Sequence, residues 1–143
     1  MYDTVLIAVD GSDAASHAAS QAIELAQLSS AVLHVLHVVE MEPTYTKQGS
    51  VILEQERDSE ERSAFGEQLT NEIAQQATES GVDVVTKVSS GTPAFVIADY
   101  ADDIGVDVIV LGYQGRSGLK ERVIGSTTER VIRMADTSVL TVH

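Results

Sequence analysis

A chain of 143 residues with 43% hydrophobic content has the size and core of one domain, so we expect a single domain over residues 1–143. The net charge of −13 argues against non-specific binding to nucleic acid or to an anionic membrane, because both surfaces would repel the protein as a whole. The absence of cysteine excludes disulfides, thiolate metal sites and a cysteine nucleophile. No apolar run approaches the roughly 20 residues that cross a bilayer, and no signal sequence is evident, so we expect a soluble cytoplasmic protein.

The acidic composition is also typical of proteins that stay soluble in concentrated salt. Lysine is scarce relative to arginine, and acidic residues are dense over 54–61. A high-salt host is therefore a hypothesis, and a thermal melt that is no higher in molar salt than in dilute buffer would contradict it.

The first half of the chain predicts two strands and two helices. Residues 2–9 form an apolar, β-branched run that ends in the turn sequence Asp10-Gly11-Ser12-Asp13, before an alanine-rich helical pattern over 14–28. A second strand is expected over 31–39, followed by a polar loop over 40–50. A long charged helix is expected over 52–80, where Gly81 ends it. Its apolar stripe consists of Phe65, Leu69, Ile73 and Ala77.

The second half predicts three strands and two helices. A third strand is expected over 82–88, and Thr92 and Pro93 then begin a short helix that runs to residue 101. A fourth strand covers 106–111, a helix covers 126–134, and a last strand covers 138–142. Five strands alternating with four helices predict a parallel sheet with helices on both faces. If the strand order is 3-2-1-4-5, the loops at 10–13 and 112–125 flank the switch point where such sheets bind ligands.

The segment 112–127 combines a strand end, glycines and a helix start. The helix opens with Ser-Thr-Thr-Glu, a capping-box sequence. Free N–H groups and the positive end of the helix dipole favour an anion at such a place. Residues 112–133 hold five of the nine cations against two carboxylates, a net of +3 that leaves −16 elsewhere. A flexible surface loop whose arginines pair with nearby carboxylates explains the loop equally well.

Three motifs make the whole chain resemble the universal stress protein family, in its nucleotide-binding branch. They are the strand end Val9-Asp10-Gly11-Ser12, the turn Gly91-Thr92-Pro93, and the signature Gly112-x2-Gly115-x9-Gly125-Ser126. The resemblance implies a Rossmann-like sheet of the adenine nucleotide alpha hydrolase type, with order 3-2-1-4-5. It also implies ATP as ligand, a homodimer through the last strand, and a role in stress resistance.

The resemblance also implies positions for the nucleotide. Asp10, with Gly11 and Ser12 beside it, would lie near the adenosine end, and Val38 or Val39 would contact adenine. Gly112, Gly115 and Gly125 would let the backbone approach the phosphates, and Ser126 would offer its hydroxyl and N–H group. Thr127 is a less secure contact, because relatives carry an apolar residue there. Arg116, together with Lys120 and Arg122, would pair with the phosphate charge.

Each position has a purely structural alternative. Asp10 alone would close the turn into the first helix, and Ser126 alone would cap the fourth, with Glu129 returning a bond to it. The histidines predict no metal site, because His34 and His37 lie three apart on a strand and point to opposite faces. A magnesium ion would be held mostly by phosphate oxygens and water.

Three functions are compatible with these residues. The first is an ATP-binding stress-response or regulatory dimer. The second is a slow ATPase or phosphotransferase, although no P-loop and no positioned base is evident. The third is an interaction module whose nucleotide pocket is vestigial.

Overall fold

A computed structural model describes residues 2–41, 54–114 and 123–143, and for residues 54–58 it describes the backbone alone. The chain alternates strands with helices, as its apolar periodicity predicts. The strands and helices are β1 (Thr4–Ala8), α1 (Asp13–Ser29), β2 (Val32–Glu40), α2 (Glu54–Glu79), β3 (Val84–Gly91), α3 (Pro93–Ile104), β4 (Val108–Gly112), α4 (Ser126–Met134) and β5 (Ser138–Val142).

The five strands form one sheet in the order β3-β2-β1-β4-β5, and every pair is parallel. This confirms the predicted strand order. The direction of winding changes at β1, which lies between β2 and β4. The carboxyl ends of these three strands therefore meet at one edge of the sheet, where a crevice is expected.

Helices cover both faces of the sheet, as predicted. On one face, α1 contributes buried alanines such as Ala18 and Ala22, and α2 adds Ile73 and Ala77. Small residues let α1 lie close to the strands. On the other face, α3 and α4 pack against the alternate strand residues, with Ile97 and Val131 in the core. The edge strand β3 is less covered, and its Val85 is 44% exposed.

Several boundaries differ from the prediction for local reasons. The helix α1 begins at Asp13 because the Ser12 hydroxyl accepts the Ala15 N–H, which makes Ser12 the N-cap. The helix α3 continues to Ile104, three residues further than predicted, and Gly105 ends it with a φ of 68°. The strand β3 begins later because the Val82 N–H still bonds the Ala77 carbonyl at the end of α2.

The start of β1 is held by a single carboxylate. Asp107 Oδ2 accepts the backbone N–H groups of Asp3 and Thr4 at 2.8 and 3.0 Å. These two bonds hold the pKa of Asp107 below its ordinary value. Among the helices of the described residues, none is both long and apolar enough to cross a membrane.

Candidate functional site

A cavity of about 300 Å³ opens at the carboxyl edge of the sheet, at the change of winding. Its floor consists of the ends of β1, β2 and β4, and one wall is the first turn of α4. Arg62 and Phe65 of α2, which packs on the other face of the sheet from α4, form a second wall. The fold therefore brings together segments that are more than 100 residues apart in sequence.

Most of the predicted site residues meet in this cavity. Those that line it are Asp10, Ser12, Val38, Val39, Gly112, Gly125, Ser126 and Thr127. Gly11 is part of the adjoining turn rather than of the lining. Gly115 and Arg116 lie outside the described residues, as do Lys120 and Arg122.

The turn after β1 is built by its own side chains. Asp10 Oδ1 accepts the Ser12 N–H at 2.9 Å, so Asp10 does close the turn into α1. A carboxylate has two oxygens and several lone pairs, so this bond leaves it able to accept others from the cavity. Gly11 has a φ of 86°, and a Cβ there would lie 3.1 Å from Phe65 Cζ. Both the backbone conformation and the close contact favour glycine at this position.

Gly112 marks a close approach within the protein itself. A Cβ at this position would lie 2.9 Å from the Ala14 carbonyl carbon and 3.0 Å from its oxygen. The end of β4 thus packs directly on the first turn of α1. The glycine is required by this packing, whatever the cavity binds.

The start of α4 differs from the capping-box prediction. Gly125 is the N-cap, no side chain caps the helix, and Ser126 is the first helical residue. Glu129 returns no bond to the helix start, and its Oε1 accepts a bond from Arg133 Nη2 at 2.8 Å. The N–H groups of the first turn have no intrahelical acceptor, and Ser126 and Thr127, which carry two of them, line the cavity.

The α4 wall is tied to β4 and β5 through one side-chain and two main-chain hydrogen bonds. Thr128 Oγ1 donates to the Gly112 carbonyl at 2.8 Å, and the Gly125 N–H donates to the Tyr113 carbonyl at 2.8 Å. The Tyr113 N–H in turn donates to the Val142 carbonyl at 2.7 Å. Thr128 is buried and lines the cavity, and sequence reasoning missed it. These bonds hold the helix start at a fixed distance from the strand end.

The α2 wall was also missed by sequence reasoning. Arg62 and Phe65 of this helix line the cavity together with His37 of β2. Phe65 was predicted as part of the apolar stripe, but it is 42% exposed and lies at the cavity, whereas Ile73 and Ala77 are buried in the core. Arg62 Nη2 donates to the Glu40 carbonyl oxygen, which holds the guanidinium at the end of β2.

The two histidines of β2 lie on opposite faces of the sheet, as predicted. His37 Nδ1 bonds the Val9 carbonyl at 2.7 Å on the α2 side. His34 Nδ1 bonds the Tyr100 hydroxyl at 2.8 Å on the α3 side. Partial burial lowers the pKa of His34 and raises the pKa of Tyr100, since each loses solvation of its charged form. Only His37 belongs to the cavity.

The charges around the cavity are mixed within the part of the chain that the structure describes. Asp10 and Glu40 are the carboxylates of its lining, and Arg62 is the one lining cation among those residues. Arg133, which the sequence grouped with the anion-binding cations, instead pairs with Glu129 on the exposed side of α4. No three His, Asp or Glu side chains in the described ranges cluster closely enough to hold a metal ion.

Comparison with known proteins gives a consistent result over the full length. The model of the universal stress protein family matches residues 1–143. Universal stress protein MJ0531 of Methanocaldococcus jannaschii is 34% identical over 144 residues, which cover 99% of this chain and 82% of that protein. The similarity therefore extends over almost the whole of this chain.

Two solved structures share the architecture. Universal stress protein UspA from Lactobacillus plantarum superposes with a TM-score of 0.89 at 29% identity, over 99% of this chain and 98% of that one. A universal stress protein crystallised in complex with cAMP superposes with a TM-score of 0.75 at 27% identity, over 99% and 97% of the two chains.

Proposed function

The chain belongs to the universal stress protein family, and on this premise we propose that it is an ATP-binding member that acts as a nucleotide-dependent stress-response or regulatory dimer. The observation that carries the proposal is the cavity at the change of winding. It joins an apolar strand end to the uncapped start of a helix. A nucleotide needs both, because its base is flat and apolar and its phosphates are anionic.

The phosphate end of the proposed site is the start of α4. Its first-turn N–H groups and the helix dipole favour an anion, and the N-cap glycine adds no side chain between them and a ligand. Ser126 adds a hydroxyl that no cap bond occupies. A magnesium ion would be held there mostly by phosphate oxygens and water. Gly115 and Arg116 remain proposed contacts, on the family signature alone.

The adenosine end is the opposite side of the cavity. Val38 is half-buried and Val39 is almost fully buried, and both line the cavity at the end of β2. They offer an apolar surface to a purine. Asp10 can accept hydroxyl bonds from a ribose with the oxygen that the turn leaves unused. The relative in complex with cAMP supports an adenine nucleotide as the ligand class.

The proposed dimer would form at the edge of the sheet that strand β5 occupies. Strand β5 is an edge strand, and Leu140 on it is 40% exposed. Ile132 of the neighbouring α4 is 45% exposed. An unpaired edge with apolar side chains is covered when two copies pair around a two-fold axis. Sedimentation of the wild-type protein should give a dimer mass and Leu140→Asp a monomer mass, whereas a wild-type monomer with and without ATP would contradict the dimer.

The direct test is calorimetric titration of the purified protein with ATP and magnesium, after denaturation and mass spectrometry have identified any nucleotide that copurifies. The decisive variant is Ser126→Asp. A carboxylate in the first turn of α4 interacts favourably with the positive end of the helix dipole, so the variant should fold. The same negative charge repels a phosphate group. We expect ATP affinity to fall at least about tenfold.

The matched control is Ser20→Asp, which adds the same charge to an exposed position of α1. Its ATP affinity should remain within about twofold of the wild type. Equal affinity in both variants would exclude α4 as the phosphate site. The absence of ATP binding in the wild type would overturn the proposed function itself. Steady release of phosphate that stops in Asp10→Ala, while ATP still binds, would favour the ATPase alternative.

A further inference from the structure

We propose that His37 selects the base of the nucleotide, with its Nε2 accepting a hydrogen bond from an exocyclic amino group. The inference rests on the proposed nucleotide site and deepens it. It names adenine as the favoured purine over bases that carry a carbonyl oxygen at the same ring position.

The hydrogen-bonding state of the imidazole follows from its partner. His37 Nδ1 lies 2.7 Å from the carbonyl oxygen of Val9. A carbonyl oxygen can only accept, so Nδ1 carries the proton and donates. In the neutral ring Nε2 is then an acceptor, since only one ring nitrogen is protonated.

The orientation of the ring is fixed by two neighbours on α2. A Cβ at Gly66 would lie 2.5 Å from His37 Cδ2, so the ring fits only because residue 66 has no side chain. The Phe65 ring meets it edge-on, with centroids 6.0 Å apart and planes at 80°. The Val9 carbonyl, Gly66 and Phe65 thus surround the ring, which cannot turn to exchange the positions of its nitrogens without displacing α2.

The remaining nitrogen belongs to a side chain that lines the cavity, and it is not fully enclosed. His37 is 6% exposed and lines the cavity. Among the described residues, every fully buried side-chain nitrogen or oxygen has a hydrogen-bond partner. Since the structure shows a bond of His37 through Nδ1 alone, its Nε2 is not fully enclosed, and we infer that it opens to the cavity that His37 lines. A polar atom in this position is best satisfied by a ligand donor.

The chemistry of the bases then decides the preference. Adenine carries an amino group, a donor, where guanine and hypoxanthine carry a carbonyl oxygen, an acceptor. The neighbouring residues Val38 and Val39 already form the proposed base surface. An acceptor on the protein can bond the amino group of adenine. With a carbonyl base the two acceptors face each other without a proton between them, and leaving them unpaired costs more binding free energy than the single bond contributes.

The experiment compares ATP, ITP and purine riboside 5′-triphosphate by calorimetric titration at pH 8, where a histidine side chain is ordinarily neutral. ITP replaces the amino group by a carbonyl, and the purine analogue carries neither. We expect ATP to bind at least about tenfold more tightly than ITP. In His37→Phe the ratio should approach one, while affinity for the purine analogue stays within about twofold of the wild type.

A second variant retains the imidazole but moves it. Gly66→Ala places a methyl group against His37 Cδ2, so it should reduce the ratio of ATP to ITP affinity while the helix remains intact. If His37→Phe does not fold, Gly66→Ala and the wild-type ratio decide the question. A wild-type ratio near one, or an unchanged ratio in a folded variant, overturns the role of His37 and leaves the nucleotide site standing. Absence of ATP binding in the wild type overturns both.

Discussion

The two walls of the cavity are built on different principles. The α4 wall presents main-chain groups, and glycines at 112 and 125 give it its shape. The α2 wall presents the side chains of Phe65 and Arg62, which lie beside His37 of β2. Main-chain groups bind any phosphate with little regard for the rest of the molecule, whereas side chains can distinguish one base from another. The comparison therefore separates the phosphate anchoring that we propose for the α4 wall from the base selection that we propose for His37, which the α2 wall holds in place.

The largest loss of stability is expected from a substitution at Gly112, where the end of β4 packs on α1. Gly112→Ala places a methyl group 2.9 Å from backbone of Ala14, which cannot move aside as a flexible side chain can. We expect the free energy of unfolding to fall by about 2–3 kcal/mol in urea denaturation. ATP binding should weaken as well, because β4 carries the start of α4 through the Thr128 bond.

The control for this prediction is Gly81→Asn. Gly81 has a φ of 75° and nothing within 4 Å of an added Cβ, and asparagine tolerates this conformation better than other residues. Its cost should stay below about 1 kcal/mol. If both variants cost the same, the packing of β4 on α1 does not explain Gly112.

The next effect concerns the cation of the α2 wall. Arg62→Gln removes a guanidinium that the Glu40 carbonyl holds at the cavity mouth. We expect ATP affinity to fall about fivefold, with little change in stability, because the side chain is exposed and solvent screens its charge. Lys87→Gln makes the same charge change on β3 away from the cavity and should alter affinity less than twofold. An equal fall of ATP affinity in both variants would mean that the net charge of the protein, and not the position of Arg62, determines the affinity.

A smaller effect is expected from the two serines at helix starts, which should differ in their contribution to the free energy of unfolding. Ser12→Ala removes the cap of α1 and should cost about 1 kcal/mol of unfolding free energy. Ser126→Ala removes no cap bond, so its cost in thermal or urea denaturation should stay below about 0.5 kcal/mol. An equal loss in both would restore the capping role that the sequence predicted for Ser126.

The α4 wall could be predicted because its signals are local. Apolar runs identified the strands, turn residues identified their ends, and glycine spacing marked the segment from Gly112 to Gly125. The same local reasoning failed at Ser126. The capping-box sequence predicted Ser126 as the N-cap, whereas Gly125 is the N-cap and its N–H donates to the Tyr113 carbonyl.

The α2 wall could not be predicted, because it depends on how a distant helix crosses β2. Periodicity placed Phe65 with Ile73 on one stripe, but the stripe leaves the core before it reaches Phe65. One signal was available. Gly66 interrupts a helix at a cost of about 1 kcal/mol, which indicates a close contact, and the structure shows that His37 makes it.

The smallest expected effect is on the pH dependence of stability, and it comes from His34 on the face of β2 that packs against α3. Burial lowers the pKa of His34 in the folded protein below its ordinary value of 6.5, so the unfolded chain takes up this proton first as the pH falls. The contribution to stability is complete above pH 6.5 and is lost as the pH falls through that value toward the folded pKa. We expect the melting temperature to fall between pH 7 and pH 5, and less steeply in His34→Gln.

The matched control for this variant is His17→Gln on the exposed side of α1, which should keep the wild-type slope. Neither change should alter ATP affinity or the ratio of ATP to ITP, because neither His34 nor His17 lines the cavity. A change of base preference in His34→Gln would show that the two faces of β2 are coupled. Selection would then be a property of the strand as a whole, and the division between an anchoring wall and a selecting wall would fail.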